Sequence, residues 1–147
     1  MTGFTLLSIG WLSCCIGNHK CNQDDNTARF RILSVNGTDL VFGPGRTYHK
    51  DSIRLYSLSG TDTVFHSYGA GPNPTPGGDS ILYVSFDRRK FQLAYIRLNS
   101  SDTDTLQIGY TTIDASPCCP DYITVQPVSV NNNSMATAPG GISIIRK

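Results

Sequence analysis

From residue 28 onward, short stretches of alternating apolar and polar residues are separated by Gly, Pro, Asn and Asp. A two-residue alternation is typical of a β-strand with one buried face, and no segment keeps the 3.6-residue period of a helix for three turns. The pattern predicts strands at residues 28–35, 39–42, 52–58, 63–68, 80–86, 91–98, 105–112, 122–130 and 142–146. Eight or nine strands at this spacing predict an all-β fold, a single antiparallel β-sandwich of immunoglobulin-like or related type.

Turn residues between the strands predict which strands pair. Asn36-Gly37 is a strong hairpin signal, because both residues accept the positive φ that a type I′ turn demands. Ser59-Gly60 and residues 87–90 are predicted to close hairpins over residues 52–68 and 80–98.

Proline and glycine mark two further features. Pro127 lies inside the predicted strand at 122–130 and cannot donate to a β-ladder, so it predicts a sheet edge or a bulge there. Residues 69–78 are rich in Gly and Pro. We expect them to form an irregular connection between the two sheets.

The composition supports a strand-rich fold and narrows the function classes. The 147-residue length suits one domain, and its 12 Lys and Arg nearly balance 11 acidic residues, all of them aspartate. A net charge of +1 without long runs of like charge argues against a nucleic-acid partner. The absence of glutamate argues against long helices, EF-hand calcium loops and glutamate acid/base chemistry.

The amino-terminal segment reads as an export signal. Residues 4–16 form an uncharged apolar run that is too short for the ~20 residues of a membrane-spanning helix but fits a secretory signal. Its end, Leu12-Ser13-Cys14-Cys15, resembles the bacterial lipobox, in which the cysteine becomes the lipidated first residue. Cys15 fits best, Cys14 is the second candidate, and Cys21 is the third because acidic residues follow it.

This interpretation divides the chain into a lipoprotein-type signal at 1–14, a polar tether at 15–27 and a β-sandwich domain at 28–147. The lipid bilayer is then a partner through the acyl anchor. No Lys or Arg precedes the apolar run, and the alternative is that residues 4–16 form a buried strand or short helix of the domain. Cleavage would remove Trp11, the only tryptophan, which makes both a Trp-centred immunoglobulin core and a Trp-based sugar platform less favoured.

Several short motifs resemble a group of small uncharacterised lipoproteins of Bacteroidota. They are Asp39-Leu40-Val41-Phe42-Gly43-Pro44, Asp104-Thr105-Leu106-Gln107-Ile108-Gly109-Tyr110, Cys118-Cys119-Pro120-Asp121-Tyr122 and Val130-Asn131. The resemblance implies a location at the cell envelope, anchored to the outer membrane and either periplasmic or surface-exposed. It also implies the fold class, and it carries no catalytic residue.

The adjacent cysteines Cys118 and Cys119 are the most unusual local feature. A disulfide from Cys21 to either of them is geometrically easy if the tether folds back, whereas one between neighbours is strained. An oxidising envelope compartment favours a structural disulfide or buried thiols, then a vicinal disulfide, and last a metal site, because a closed zinc site needs four ligands. We therefore predict neither a metal nor a cofactor.

Candidate catalytic groups are few. The bases are His19, His49 and His66, and no Gly-x-Ser-x-Gly nucleophile elbow accompanies them. Asp102 and Asp104 begin like a calcium loop but lack its Gly and its distal Glu, so a capped turn is predicted. Arg88-Arg89-Lys90 reads as a solvated hairpin tip. We expect the protein not to be an enzyme.

The remaining hypotheses concern binding and modification. The first is a binding or scaffolding domain with a protein partner at the envelope. The alternative is a carbohydrate-binding accessory that uses exposed rings of Tyr48, Tyr68 and Tyr95. Four Asp-Ser/Thr-aliphatic tripeptides also resemble the O-glycosylation acceptor of Bacteroidota, with acceptor hydroxyls on Ser52, Thr63, Ser80 and Thr105.

Overall fold

The computed structural model describes residues 20–73, 80–87, 91–115 and 118–147. Within these ranges the chain forms eleven β-strands and one three-residue 3₁₀ helix at Lys50–Ser52. The strands are β1 (Thr27–Leu33), β2 (Arg54–Ser59), β3 (Asp62–Phe65), β4 (Tyr68–Gly71), β5 (Ile81–Ser85), β6 (Leu93–Arg97), β7 (Thr103–Ile113), β8 (Tyr122–Val130), β9 (Asn133–Ser134), β10 (Ala136–Ala138) and β11 (Ile142–Arg146).

Two sheets pack against each other, which confirms the predicted all-β sandwich. The five-stranded sheet has the order β10-β11-β1-β5-β4, and the six-stranded sheet has the order β3-β2-β6-β7-β8-β9. Neighbouring strands are antiparallel except β1 and β11, which run parallel with Phe30 opposite Ser143. The antiparallel prediction is therefore right for all but this one pair.

The core between the sheets follows from the two-residue alternation of the strands. The five-stranded sheet contributes Phe30, Ile32 and Leu82 to this core, and the six-stranded sheet contributes Ile96 and Leu106. Burying each such side chain contributes about 1.5–3 kcal/mol. A smaller apolar cluster lies on the opposite side of the five-stranded sheet and contains Leu33, Ile81, Ile142 and Ile144.

The prediction of a strand at 39–42 is wrong. The Asp39 side chain accepts hydrogen bonds from the backbone N–H groups of Val41 and Phe42, at 2.9 and 2.8 Å. Because a side chain takes these donors, they make no sheet ladder, and Val41 is buried in the core from a loop. Conversely, β4, β9 and β10 were not predicted, and β4 includes Gly69–Gly71 of the expected irregular connection.

One of the three predicted hairpin turns is confirmed, and two are wrong. Ser59-Gly60 closes the β2–β3 hairpin as predicted, with Gly60 at a φ of +62°. At the Asn36-Gly37 turn only Gly37 has a positive φ, +85°, so the type I′ assignment is wrong. The hairpin predicted over 80–98 is also wrong, because β5 pairs with β1 and β4 while β6 belongs to the other sheet.

The amino-terminal boundary of the domain lies earlier than predicted. Asp25 exchanges backbone hydrogen bonds with β8, donating to Ile123 and accepting from Val125 at 2.9 and 3.1 Å. The Asp24 carboxylate also accepts from the N–H of Ile123 at 2.6 Å. The predicted tether at 15–27 therefore overlaps the domain from Cys21 onward, because these residues pair with the sandwich instead of hanging free. The predicted signal at 1–14, with Cys14 and Cys15, lies outside the described residues.

Candidate functional site

The outward side of the six-stranded sheet carries an unusual set of large apolar side chains. Alternation turns Leu55 and Ile96 into the core, so their neighbours in β2 and β6 point outward. In the strand pairings, Tyr56 of β2 lies directly opposite Phe65 of β3 on one side and opposite Tyr95 of β6 on the other. We call the set Tyr56, Leu58, Phe65, Leu93 and Tyr95 the aromatic face.

The ring of Tyr56 contacts the rings of both Tyr95 and Phe65. The centroids of Tyr56 and Tyr95 are 5.2 Å apart with the planes at 19°, and those of Tyr56 and Phe65 are 6.1 Å apart at 56°. Two rings that lie edge to edge in the same plane cannot bring their centroids closer than about 6–7 Å, the sum of two ring radii and one carbon–carbon contact distance. The Tyr56–Tyr95 separation is shorter than this. Tyr56 and Tyr95 are therefore stacked with an offset, and they cover part of each other's faces.

The exposure of this side of the sheet is large for apolar groups. Among the residues that the structure describes, five large hydrophobic side chains are exposed: Val35, Leu58, Phe65, Leu93 and Val128. Four of them lie on the six-stranded sheet, and Phe65 is 66% exposed. Exposed apolar groups scattered singly are ordinary, but a contiguous patch marks an interaction site.

A β-bulge lies next to Pro127 in β8, which confirms the predicted edge or bulge at this proline. The β7–β8 register shifts between Gln107, opposite Ser129, and Ile108, opposite Pro127, so Val128 is the extra residue. A Cβ on Gly109 would come 2.8 Å from the Val128 side chain, so glycine leaves the room that the bulge needs.

The tyrosines proposed to contact sugar do not form a row. Tyr48 is buried and donates a hydrogen bond to Asp102 at 2.6 Å, so this candidate is wrong. Tyr68 packs against the core and donates to the Lys50 carbonyl at 3.0 Å. Tyr95 alone belongs to the aromatic face, where it stacks on Tyr56. Sequence reasoning missed Tyr56 and Phe65, because apolar residues occur in both alternating sets of positions in β2 and the pattern does not show which set faces outward.

A capped turn does precede β7, but Asn99 caps it, accepting from the N–H groups of Ser101 and Asp102 at 2.8 Å, while Asp102 and Asp104 hold a lysine. The Lys147 ammonium lies 2.6 Å from Asp102 Oδ1 and 2.6 Å from Asp104 Oδ2. Asn131 Nδ2 donates to Asp104 Oδ1 at 2.7 Å, and the Asp104 side chain is almost fully buried. The group closes one end of the sandwich as an internal ion-pair network.

The ion-pair network shifts the pKa values of Asp102, Lys147 and Tyr48. Burial acts to raise the pKa of Asp102, but hydrogen bonds from Lys147 and Tyr48 outweigh it and lower that pKa. Burial disfavours the Lys147 charge, yet the bonds to Asp102 and Asp104 raise its pKa. Burial and the bond to Asp102 raise the pKa of Tyr48 to about 12. All three groups thus keep their neutral-pH charge states.

A buried serine–histidine pair lies at the edge of the core. Ser57 Oγ is 2.8 Å from His66 Nε2 and donates its proton to the Leu93 carbonyl at 2.8 Å. Because a hydroxyl has one proton, His66 Nε2 must donate to Ser57, which is the wrong tautomer for a general base. Ser57 is also fully buried, so the pair is structural.

We predict that stability falls in mild acid because of His66. Burial lowers the pKa of His66, with Asp87 opposing in part. The unfolded chain therefore binds a proton near pH 6.5 while the folded chain does not, and stability is lost as the pH falls through that value, by at most about 1.4 kcal/mol per pH unit. Urea unfolding between pH 8 and 5 measures the slope.

Two variants isolate the His66 contribution. His66→Gln keeps a donor for Ser57 and should flatten the slope, whereas His49→Gln, at an exposed histidine, should leave it unchanged. An unaltered slope in His66→Gln would contradict the assignment.

The structure joins Cys21 to Cys119 in a disulfide with an S–S distance of 2.06 Å. Cys118 is half-buried and lies outside this bond. Because a sulfur in a disulfide cannot also carry a thioether, this bond and lipidation at Cys21 exclude each other. Lipidation at Cys15 or Cys14 stays compatible with it.

The remaining candidate positions are dispersed. His49 is exposed, and its Nδ1 accepts a hydrogen bond from the N–H of Asp51. Ser52, Thr63 and Ser80 are exposed, while Thr105 is half-buried within β7. His19 and residues 88–90 lie outside the described residues. No group of three His, Cys, Asp or Glu side chains that could hold a metal occurs among the residues described.

Comparison with protein-family models, with curated proteins and with solved structures finds no match for this chain. The resemblance to Bacteroidota lipoproteins therefore rests on its short motifs alone. In the described part of the chain, no helix is long and apolar enough to cross a membrane.

Proposed function

We propose that this chain is an exported, lipid-anchored, non-enzymatic domain that binds a protein partner at the cell envelope through the aromatic face. The observation that carries the proposal is the contiguous exposure of Leu58, Phe65 and Leu93 beside the stacked tyrosines. Aromatic residues on a well-ordered surface are enriched where proteins bind each other, because they bury a large area at a small entropic cost.

The disulfide supports an exported location. Disulfides that join distant parts of a chain persist in oxidising compartments and are rare in the bacterial cytosol. The Cys21–Cys119 bond spans 98 residues of sequence. It is consistent with acylation at Cys15, which would leave residues 16–20 as a short link between lipid and domain.

A protein partner is favoured over a glycan by the ring geometry. Sugar recognition by stacking needs the flat faces of the rings open to the ligand. Tyr56 and Tyr95 turn part of their faces toward each other, and the predicted contacts Tyr48 and Tyr68 pack inward. Leu58 and Leu93, each 51% exposed, add aliphatic area of the kind a protein surface buries.

Serine substitutions on the aromatic face test this function. The double variant Leu58→Ser/Leu93→Ser should fold as well as the wild type, because both side chains are half-exposed, yet it should lose at least about tenfold in affinity for the envelope protein that co-purifies with the wild type. Val35→Ser is the matched control, since Val35 is 79% exposed but lies in a turn away from the sheet. Equal binding by all three proteins, or equal loss in the control, would contradict the proposal.

A further inference from the structure

Two arginines lie side by side at one end of the aromatic face. Arg54 of β2 is directly opposite Arg97 of β6, and both follow the outward alternation of Tyr56 and Tyr95. Like charges directly opposite each other in a sheet destabilise it. The sheet therefore holds an unfavourable pair immediately beside an exposed apolar surface.

The rest of the described chain leaves the Arg97 charge uncompensated, whereas the positive charge of Arg54 attracts the exposed carboxylate of Asp51 and helps to lower its pKa. The guanidinium of Arg54 donates to the backbone carbonyls of Asp51 and Ile53, both at 2.7 Å. The Arg97 guanidinium makes no hydrogen bond or ion pair to the other residues that the structure describes. At the outward positions of the six-stranded sheet, the described residues include no aspartate, and the chain has no glutamate. This side of the sheet is thus both apolar and positively charged.

A hollow beside Arg54 continues the surface. It has a volume of about 480 Å³, and the residues that line it include Arg54, Phe65, His66 and Tyr68. A carboxylate-bearing side chain entering it would meet a cation and apolar walls together. Such a contact would also offset the repulsion between the two arginines.

Resting on the proposed function, we propose that the protein partner presents acidic side chains among apolar ones. The apolar groups pack on Tyr56, Leu93 and Tyr95, and the carboxylates pair with Arg97 and Arg54. Charge complementarity at the arginine end sets the orientation of the partner and accelerates the encounter.

The experiment uses a phage-displayed library of random 12-residue peptides, selected on the full chain at low salt. Peptides that combine Asp or Glu with aromatic or branched residues should be enriched. Their affinity should fall about tenfold in Arg97→Glu and decline with added salt, and it should not change in Arg146→Glu, the matched control at an exposed arginine of the other sheet.

Other outcomes separate the inference from the function on which it rests. Neutral peptides that depend on Leu93 but not on Arg97 would overturn the acidic partner and leave the binding face intact. If every selected peptide bound Leu93→Ser as tightly as the wild type, both the acidic partner and binding through the aromatic face would be overturned. Binding of heparin, an anionic glycan, that is lost in Arg97→Glu without enrichment of acidic peptides would contradict a protein partner.

A stability measurement gives a second readout. Arg97→Gln removes the repulsion with Arg54, so its Tm in low salt should rise by about 1–2 °C while acidic peptides bind more weakly. A fall in Tm would show that Arg97 serves the fold, which contradicts its assignment to binding.

Discussion

Cys21→Ala is expected to destabilise the domain by about 2–5 kcal/mol, the largest effect that we predict for one side chain. The Cys21–Cys119 bond closes a loop of about 98 residues that runs from the entry to β1 to the connection between β7 and β8. Cross-linking so distant a pair restricts the unfolded chain strongly, and the chain-entropy model places a loop of this length near the upper end of that range. Equilibrium unfolding in urea measures the loss.

Cys118→Ala is the matched control because it removes the neighbouring sulfur and leaves the disulfide in place. It should stay within about 1 kcal/mol of the wild type. Wild-type protein in reductant should unfold like Cys21→Ala. If Cys118→Ala were as damaging as Cys21→Ala, or if reductant had no effect, the assignment of the disulfide would be wrong.

Lys147→Met is expected to cost about 3 kcal/mol, because it leaves the buried carboxylate of Asp104 without its cation. The figure lies at the lower end for broken buried pairs, since the Lys147 side chain is 20% exposed and water can approach. Asn131 still donates to Asp104, but one amide does not replace an ammonium shared between two carboxylates.

A double variant and a pH series test this assignment. Lys147→Met/Asp104→Asn should recover part of the loss, since no uncompensated charge is then buried. The pKa of Asp102 is lowered, so its contribution is complete above about pH 4 and disappears as the pH falls through the folded value. The pKa of Lys147 is raised, so its contribution disappears as the pH rises above about 10.4. A difference between wild type and Lys147→Met that stays constant from pH 2 to 7 would contradict the network.

The sandwich was predictable because buried and exposed positions alternate along most strands. The wrong predictions lie where a side-chain hydrogen bond or a distant strand, and not the local alternation, determines the structure. Asp39 caps two backbone donors and turns an apolar stretch into a loop, and β4 forms from Gly69–Gly71 because β5 offers it a partner. No local turn signal could show that β5 and β6 enter different sheets, since that depends on distant strands.

The candidate site was less predictable because β2 carries apolar residues on both of its faces. In β2, Leu55 and Ser57 point inward, while Tyr56 and Leu58 point outward. The buried Ser57 is stable there because His66 donates to it and Leu93 accepts from it. The partners of Ser57, nine residues along the chain and on another strand, cannot be recognised from the β2 sequence, so the aromatic face emerges only from the fold.

Site-specific photo-cross-linking in the native envelope tests the central claim most directly. A photoreactive phenylalanine analogue at position 93 lies within the aromatic face, and the same analogue at position 35 is a control outside it that is more exposed to solvent than position 93. We predict a discrete protein adduct of one size from position 93, reduced by Arg97→Glu, and none of that size from position 35. The same adducts from both positions, or none from position 93, would contradict binding through this face.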